Sequence, residues 1–245
     1  MLVLLSLLIS VNVQAELPTV TPYRPTVSNP AELSALNHFE FELGTQFNQP
    51  GMIEEQYSLP FLLKYAFLEN WGILVGGEAW IKAENAEHVD SSFGNTTLLL
   101  KYYHPLSSTL AFGIEGGVIL PSAAKPLGTG RTDYSGTLII SQDIADLRVD
   151  LNIGVIRQGF HTKEHDRYKY NWALAASHPL SGHWGIAGEF SGVLGSQQET
   201  SSQWLMALNY TVNRQLVLDF GGSVGLTTNS DDYGAFAGFS FLFDS

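Results

Sequence analysis

Charged side chains recur at a regular spacing along this 245-residue chain. Glu78 and Glu115 lie 37 positions apart, and Glu189 follows Glu115 after twice that distance. Carboxylates gathered in one confined space could select cations or polar solutes, as rings of acids do in channels. They could also form an internal network with basic side chains, because buried charges persist only when they are paired. The charged residues predicted to share one confined face, whether or not they follow this spacing, are Glu42, Lys64, Glu78, Lys101, Glu115, Arg148, Asp150, Glu189 and Asp219.

A period of two residues in the sequence determines where these charges lie. In residues 39–47 the odd positions are apolar except for Thr45, whereas the even positions include Glu40 and Glu42. Successive side chains of a strand point to opposite faces, so this segment predicts a strand with one apolar and one polar face. Each similar segment has about 11 residues, the length of a tilted strand that crosses a bilayer. The predicted strands are 39–47, 56–67, 71–82, 93–104, 109–120, 132–142, 147–157, 168–178, 183–194, 200–211, 215–226 and 233–243.

The connections between these segments alternate between short and long. The short connections are 68–70, 104–108, 143–146, 178–182 and 212–214. The longer polar ones are 82–92, 121–131, 157–166, 194–201 and 227–232. Short periplasmic turns and long external loops are typical of outer-membrane barrels, and an even strand number leaves both termini in the periplasm. We therefore predict an all-β fold, a transmembrane antiparallel up-and-down β-barrel of about 12 strands over residues 37–245.

Aromatic residues favour the barrel over its main alternative, a soluble β-sandwich. Those predicted near the short turns are Tyr65, Trp71, Tyr102, Trp184 and Tyr210. Those predicted near the long loops are Tyr57, Tyr134, Tyr170, Trp172, Trp204 and Tyr233. Such rings form the aromatic girdles at the two membrane interfaces. A sandwich would need a polar exposed face, whereas here the face opposite the charges is apolar.

The first residues and the composition indicate export. Residues 1–15 are apolar and end in Val-Gln-Ala, which predicts a cleaved signal peptide, although no Lys or Arg precedes the apolar run. A membrane anchor is the alternative, but the run is shorter than a bilayer span. The chain has no Cys, which excludes a lipoprotein and a thiolate metal site. A net charge of −12 argues against nucleic acid as a partner.

Residues 16–36 form a separate N-terminal segment. They contain four prolines and show no alternation, so we expect an extended, Pro-rich periplasmic segment. The alternative is a plug in which Tyr23 and Arg24 enter the barrel from below. At the other end of the chain, the final strand alternates into Phe239, Phe241 and Phe243. This strand is similar to those recognised by the barrel-assembly machinery, although two further residues follow the last Phe.

Three stretches resemble a known family, described as putative MetA-pathway of phenol degradation. The first combines Arg-Pro at 24–25 with Phe-Glu-Phe-Glu-Leu-Gly at 39–44. The second combines Leu-Pro at 120–121 with Leu-Gly-Thr-Gly-Arg-Thr-Asp-Tyr at 127–134, while 122–123 depart from the usual Thr-Gly. The third is the aromatic C-terminal strand. The resemblance implies a channel or transporter of the cell outer membrane, for apolar or aromatic compounds.

A hydrolase is the enzymatic alternative, since some outer-membrane barrels cleave lipids with a Ser, His and Asn. The His-x-Ser-Asn-Gly element of that family is absent from this sequence. His104 and His178 precede prolines in predicted turns, and His161 and His165 lie in a polar loop that we interpret as solvated. The Gly-Thr-Gly-Arg stretch at 128–131 could bind an anion, but a flexible loop explains it. We expect no enzyme activity, cofactor or metal.

Two functional hypotheses remain. The nine charged candidates occupy strand positions that alternate with the lipid-facing ones, so we expect their side chains in the lumen. Apolar residues such as Leu74, Trp80 and Ile139 share this inward-facing set of positions. This mixture predicts a path for small apolar or aromatic molecules through a barrel surrounded by outer-membrane lipids. The alternative is a non-conducting structural or interaction barrel. The predicted narrow lumen is compatible with both.

Overall fold

The computed structural model describes residues 17–51, 54–84, 88–125, 127–128, 130–159, 167–195 and 200–243. The predicted signal peptide lies outside these residues. None of the described residues forms a helix that could cross a membrane. The strands are β1 (Phe39–Gly51), β2 (Glu54–Leu68), β3 (Trp71–Glu84), β4 (Val89–Ser92), β5 (Thr96–Pro105), β6 (Leu110–Leu120), β7 (Asp133–Ile144), β8 (Leu147–Arg157), β9 (Tyr168–Pro179), β10 (Trp184–Leu194), β11 (Ser201–Asn213), β12 (Leu216–Gly225) and β13 (Tyr233–Leu242).

Twelve of these strands form a closed antiparallel barrel, which confirms the predicted fold class. Each strand pairs with its neighbours along the chain, and β13 pairs with β1 from Glu40↔Leu242 to Gln49↔Tyr233. The short strand β4 pairs only with residues 81–84 of β3, while β5 pairs with residues 71–77 of the same strand. Closure satisfies the backbone hydrogen bonds of every barrel strand, as a bilayer requires.

The outer face of the barrel is apolar. Leu138, Ile153 and Phe190 each expose half or more of their surface, at 59%, 56% and 50%. Such exposure would be unfavourable in water but suits contact with lipid chains. Aromatic pairs flank this surface: the rings of Trp184 and Tyr210 lie 4.9 Å apart near the short turns. Near the long loops, several aromatic rings also meet, as the girdle interpretation predicts.

A β-bulge corrects one lumen assignment. Ser58 pairs with Ile81, whereas Pro60 pairs with Glu78, so β3 has one residue more than β2 between these pairs. The extra residue reverses the facing of β3 beyond this point. Trp80, which strict alternation places in the lumen, therefore lies on the outer face.

The N-terminal residues enter the barrel, contrary to the expected periplasmic tail. We call residues 17–38 the lumen segment. Its start lies at the β11–β12 turn, where Val20 N–H donates to the Arg214 carbonyl at 2.8 Å, and its end lies beside Ala66 of β2. In between, Tyr23 and Ala31 are buried. The tail expectation is wrong because backbone N–H groups outside a sheet still need partners, and the inner wall supplies them. The observed arrangement is the alternative, a plug.

Candidate functional site

The lumen segment is bound to the wall mainly by carboxylates. The two oxygens of Glu42 on β1 accept the backbone N–H groups of Tyr23 and Arg24, at 2.8 and 3.0 Å. Lys64 Nζ on β2 lies 2.6 Å from Glu42 and 2.9 Å from Glu40. All three charged wall residues are almost fully buried. In a site of low dielectric constant such pairs are required, because an unpaired charge there would be costly.

Tyr23 fixes the centre of the segment between two lysines. Lys64 Nζ lies 4.0 Å from the ring centroid and Lys101 Nζ lies 4.2 Å from it. Lys101 also pairs with Glu115 at 3.0 Å and donates to the Pro30 carbonyl at 2.6 Å. Cation–π contacts strengthen when the cation has lost its water, as both ammonium groups have here.

Arg24 lies in a space made by two glycines. Its guanidinium forms a two-contact pair with Asp219 on β12, at 2.9 and 3.1 Å. Gly44 of β1 and Gly238 of β13 face each other across the barrel seam. A Cβ added at either glycine would come within 2.4 to 2.6 Å of the guanidinium. The glycines therefore permit the close approach that brings Arg24 to Asp219.

Arg148 attaches the lumen segment to the wall at a further point, near the short turns. It forms ion pairs with Asp143 at 3.2 Å, with Asp150 at 3.1 Å, and with Glu32 of the lumen segment. Asp150 also accepts a hydrogen bond from Ser141. Because one guanidinium serves three carboxylates, this cluster joins β7 and β8 to the lumen segment.

Glu189 on β10 binds the segment differently. Its oxygens accept the backbone N–H groups of Val27 and Ser28, at 3.2 and 2.8 Å. Among the residues that the structure describes, no Lys or Arg forms an ion pair with it. On β8, the side-chain amide of Asn152 accepts a hydrogen bond from the Asn29 N–H and donates one to the Asn29 carbonyl, both at 2.9 Å.

The structure places all nine charged candidates on the inner wall, but it does not form a free acidic ring from them. Eight of the nine bind the lumen segment or pair with a charge. Within the described ranges Glu78 is the exception: it lies beside Gly94 at the β4–β5 junction and forms a hydrogen bond with Ser58. Glu115 and Glu189 are engaged by the lumen segment rather than open to a central pore. This arrangement matches the internal network that was the alternative to a selectivity ring.

Sequence reasoning missed several residues of this site. Glu40 and Asn152 share the inward parity of the predicted acids and could have been included on that basis. The contacts of Tyr23, Arg24 and Ser28 carried no comparable signal, because their partners are remote in the sequence.

In addition to a cavity of about 150 Å³ at the β1–β2 wall, the lumen segment leaves two cavities that border the β8–β11 wall. The larger one, about 630 Å³, opens towards the short turns. Its lining includes Ala175, Ala187 and Arg148 on this wall, several residues of the lumen segment between 21 and 36, and Ala66 and Tyr103 on β2 and β5. The smaller one, about 260 Å³, lies towards the long loops. Its lining includes Val27, Asn152, Ala173, Ser191, Gln203 and Asp231. Small, uncharged side chains on β9–β11 leave this space open.

Asp231, in the loop before β13, contributes the titratable charge at the smaller cavity, which we call the outer cavity. Burial, followed by repulsion from Asp232, raises the pKa of this carboxyl above its ordinary value. The metal hypothesis for His161 and His165 falls outside the described residues, as does Thr129 of the glycine-rich loop. Within the described part of the chain, no cluster of His, Asp or Glu has the geometry of a metal site.

Sequence comparison gives a decisive match. The model of the family described as "putative MetA-pathway of phenol degradation" covers residues 45–243, almost the whole barrel. The chain belongs to this family. The family membership confirms the resemblance seen in the sequence motifs. No curated protein matches the chain.

Solved structures show the same architecture. An outer membrane channel from Pseudomonas putida F1 is similar with a TM-score of 0.69 at 12% identity, over 87% of this chain and 98% of that one. The NanC porin is similar with a TM-score of 0.59 at 10% identity, over 83% and 98%. The KdgM porin, in complex with oligogalacturonate, gives 0.56 at 14% identity, over 83% and 99%. At these identities the likeness establishes the outer-membrane barrel fold.

Proposed function

We propose that the protein is an outer-membrane channel for small apolar or aromatic molecules. The observation that carries this proposal is the division of the lumen. Charged wall residues are used in binding the lumen segment, and the remaining space lies against Ala173, Ala175 and Ala187. On β9–β11 a solute meets methyl, hydroxyl and amide groups. The charged groups that also line the larger cavity, among them Arg24, Arg148 and Asp150, are paired and form no open ring of carboxylates. Such a lining favours uncharged molecules, because it does not compensate the loss of an ion's hydration.

The family description and the neighbouring structures support this role. The family is associated by its description with phenol degradation, and the structural relatives are a channel and porins. We propose no catalytic activity. We also propose removal of residues 1–15 on export, a lipid belt around the apolar face, and recognition of β13 by the barrel-assembly machinery. The short turns would face the periplasm, so the lumen segment enters from that side.

Current through single channels in planar bilayers tests the proposal. Benzyl alcohol, benzoate and benzylammonium share a ring and differ in charge, so they form a matched set of probes. Each is added at the same concentration, and transient block of the ionic current is measured. We expect benzyl alcohol to block most often. More frequent block by benzylammonium would indicate an acidic selectivity site instead.

The second candidate function is a non-conducting structural barrel. The specific observation in its favour is the lumen segment itself, since it occupies the centre of the barrel with buried ion pairs. Complete absence of current from correctly folded protein would favour this candidate.

A further inference from the structure

Along a strand of this wall, some inward-facing residues line the larger cavity and the next ones line the smaller cavity. On β10, Ala187 lines the larger cavity and Ser191 lines the smaller one, while Glu189 lies between them. On β9, Ala175 lines the larger cavity and Ala173, the next inward residue, lines the smaller one. Successive inward residues of one strand are about 7 Å apart. The two cavities are therefore consecutive along the same wall and are separated by a thin partition.

The partition consists of backbone from the lumen segment. Glu189 accepts the N–H groups of Val27 and Ser28, and Asn152 binds the backbone of Asn29. Three residues of main chain, held by these two wall side chains, thus separate the cavities. The side chain of Asn29 in addition donates to both oxygens of Glu115 at 3.1 Å. The Val27 side chain is 57% exposed and lines the smaller cavity.

This attachment is weaker in kind than the others. At Thr21 and Pro30, displacement of the segment would disturb Lys64 and Lys101, which donate to these two carbonyls and form buried pairs with carboxylates. At Glu189, displacement would break hydrogen bonds to neutral backbone groups, and the carboxylate could then be hydrated in the joined cavity. Separation of buried ion pairs costs more than exchange of hydrogen bonds with water. The contact of Asn29 with Glu115 is likewise a hydrogen bond from a neutral amide, and its loss leaves the Lys101–Glu115 pair intact. Movement of the segment is therefore easiest at residues 27–29.

We propose that residues 27–29 are a gate, and that Glu189 and Asn152 are the positioning residues that keep it closed. Outward movement of this segment from β8 and β10 joins the two cavities into one solute route along β8–β11. The inference rests on the proposed channel function and deepens it. The solutes admitted are small and uncharged, since the side chains of β9–β11 along the route are uncharged and the charges of Arg148 and Asp150 at its short-turn end are paired. Val27, which lines the smaller cavity, is the side chain that a solute contacts as it passes the gate.

A double variant, Glu189→Gln with Asn152→Ala, tests the gate. It removes the charge-assisted bonds at Val27 and Ser28 and both bonds to the backbone of Asn29, while the bonds of the Asn29 side chain to Glu115 remain. We expect the open fraction of single channels to rise about tenfold over wild type, the scale set by loss of a charged hydrogen bond. Glu78→Gln is the matched control, because it neutralises an inner-wall acid outside the network, and it should leave the open fraction unchanged.

A cysteine at the gate provides a second test that leaves the attachment intact. The sequence has no Cys, so Val27→Cys creates a single thiol. Reaction with a bulky methanethiosulfonate should reduce the current if solutes pass residue 27. An unmodified current after complete labelling would overturn the proposal, even if the double variant failed to fold.

The outcomes separate the gate from the channel. Suppose that the wild-type protein conducts, that the double variant has the same open fraction, and that labelling of Val27→Cys leaves the current unchanged. This result would contradict the gate and leave the channel function standing. Current in the double variant alone would support both. Absence of current in every folded variant would contradict both. Mobility shifts between unheated and boiled detergent gels identify the folded variants.

Discussion

The two sides of the lumen use the same inward-facing positions for different purposes. On β1, β2, β5 and β6 these positions hold Glu40, Glu42, Lys64, Lys101 and Glu115, and the lumen segment is bound tightly against them. On β9 and β10 most of them are small, and the cavities of about 630 and 260 Å³ both border these strands. A narrow barrel can therefore contain an anchored plug and still keep a route, provided that bulky side chains are scarce along one part of its wall.

Breaking the charged side should give the largest effect. Lys64→Met leaves two buried carboxylates, Glu40 and Glu42, without their cation. Loss of one partner of a buried pair costs about 3–5 kcal/mol, so the free energy of unfolding should fall by about that amount. Denaturant titration in detergent micelles measures it.

Lys82→Met is the control for this prediction. Lys82 pairs with Glu84 at the C-terminal end of β3, near the long loops, where both side chains are substantially exposed. Exposed pairs contribute about 0–1 kcal/mol, so little change is expected. A similar loss in both variants would mean that the buried network is not what distinguishes the charged side.

The barrel seam should give an intermediate effect. Gly44→Ala places a methyl group against the Arg24 guanidinium, since the nearest atoms to a Cβ at this position all belong to Arg24. We expect destabilisation of about 1–3 kcal/mol, the usual cost of overpacking. The double variant with Arg24→Ala should be less destabilised than the sum of the single changes. Strict additivity would show that Arg24 does not occupy this space.

Filling the open side should alter transport with little change in stability. Ala175→Leu adds bulk to the larger cavity, where space is available. We expect a several-fold lower current and an unfolding free energy within about 1 kcal/mol of wild type. Ala176→Leu on the lipid-facing side of the same strand is the matched control. Equal currents in the two variants would show that the route lies elsewhere.

The smallest effect concerns pH at the outer cavity. Because burial raises the pKa of Asp231, this carboxyl is protonated at a higher pH than an exposed Asp. A raised pKa in the folded state means that the folded protein gains stability as pH falls through the titration range. Cation preference, measured by reversal potential, should decrease slightly over the same range. Asp231→Asn should remove both dependences, and their persistence would assign them to another group.

The sequence predicted the barrel well because its signal is local and repeated. Alternation over each strand also placed the nine charged candidates on the inner wall. One inserted residue in β3 was enough to misplace Trp80, since a bulge changes parity without altering composition. The lumen segment was misjudged for a different reason. Arg24 and Asp219 are 195 positions apart, and no periodic pattern in residues 16–36 indicates such partners.

The most direct test compares cysteines on the two sides of the lumen. Gln203 of β11 lines the outer cavity, whereas Gln46 of β1 is an inward-facing glutamine on the charged side. Gln203→Cys and Gln46→Cys are labelled with the same bulky thiol reagent, and single-channel current is recorded before and after. A route along the uncharged wall predicts strong block at Gln203→Cys and little at Gln46→Cys. Equal block at both positions, or block only at Gln46→Cys, would contradict a lumen divided into an anchored side and an open side.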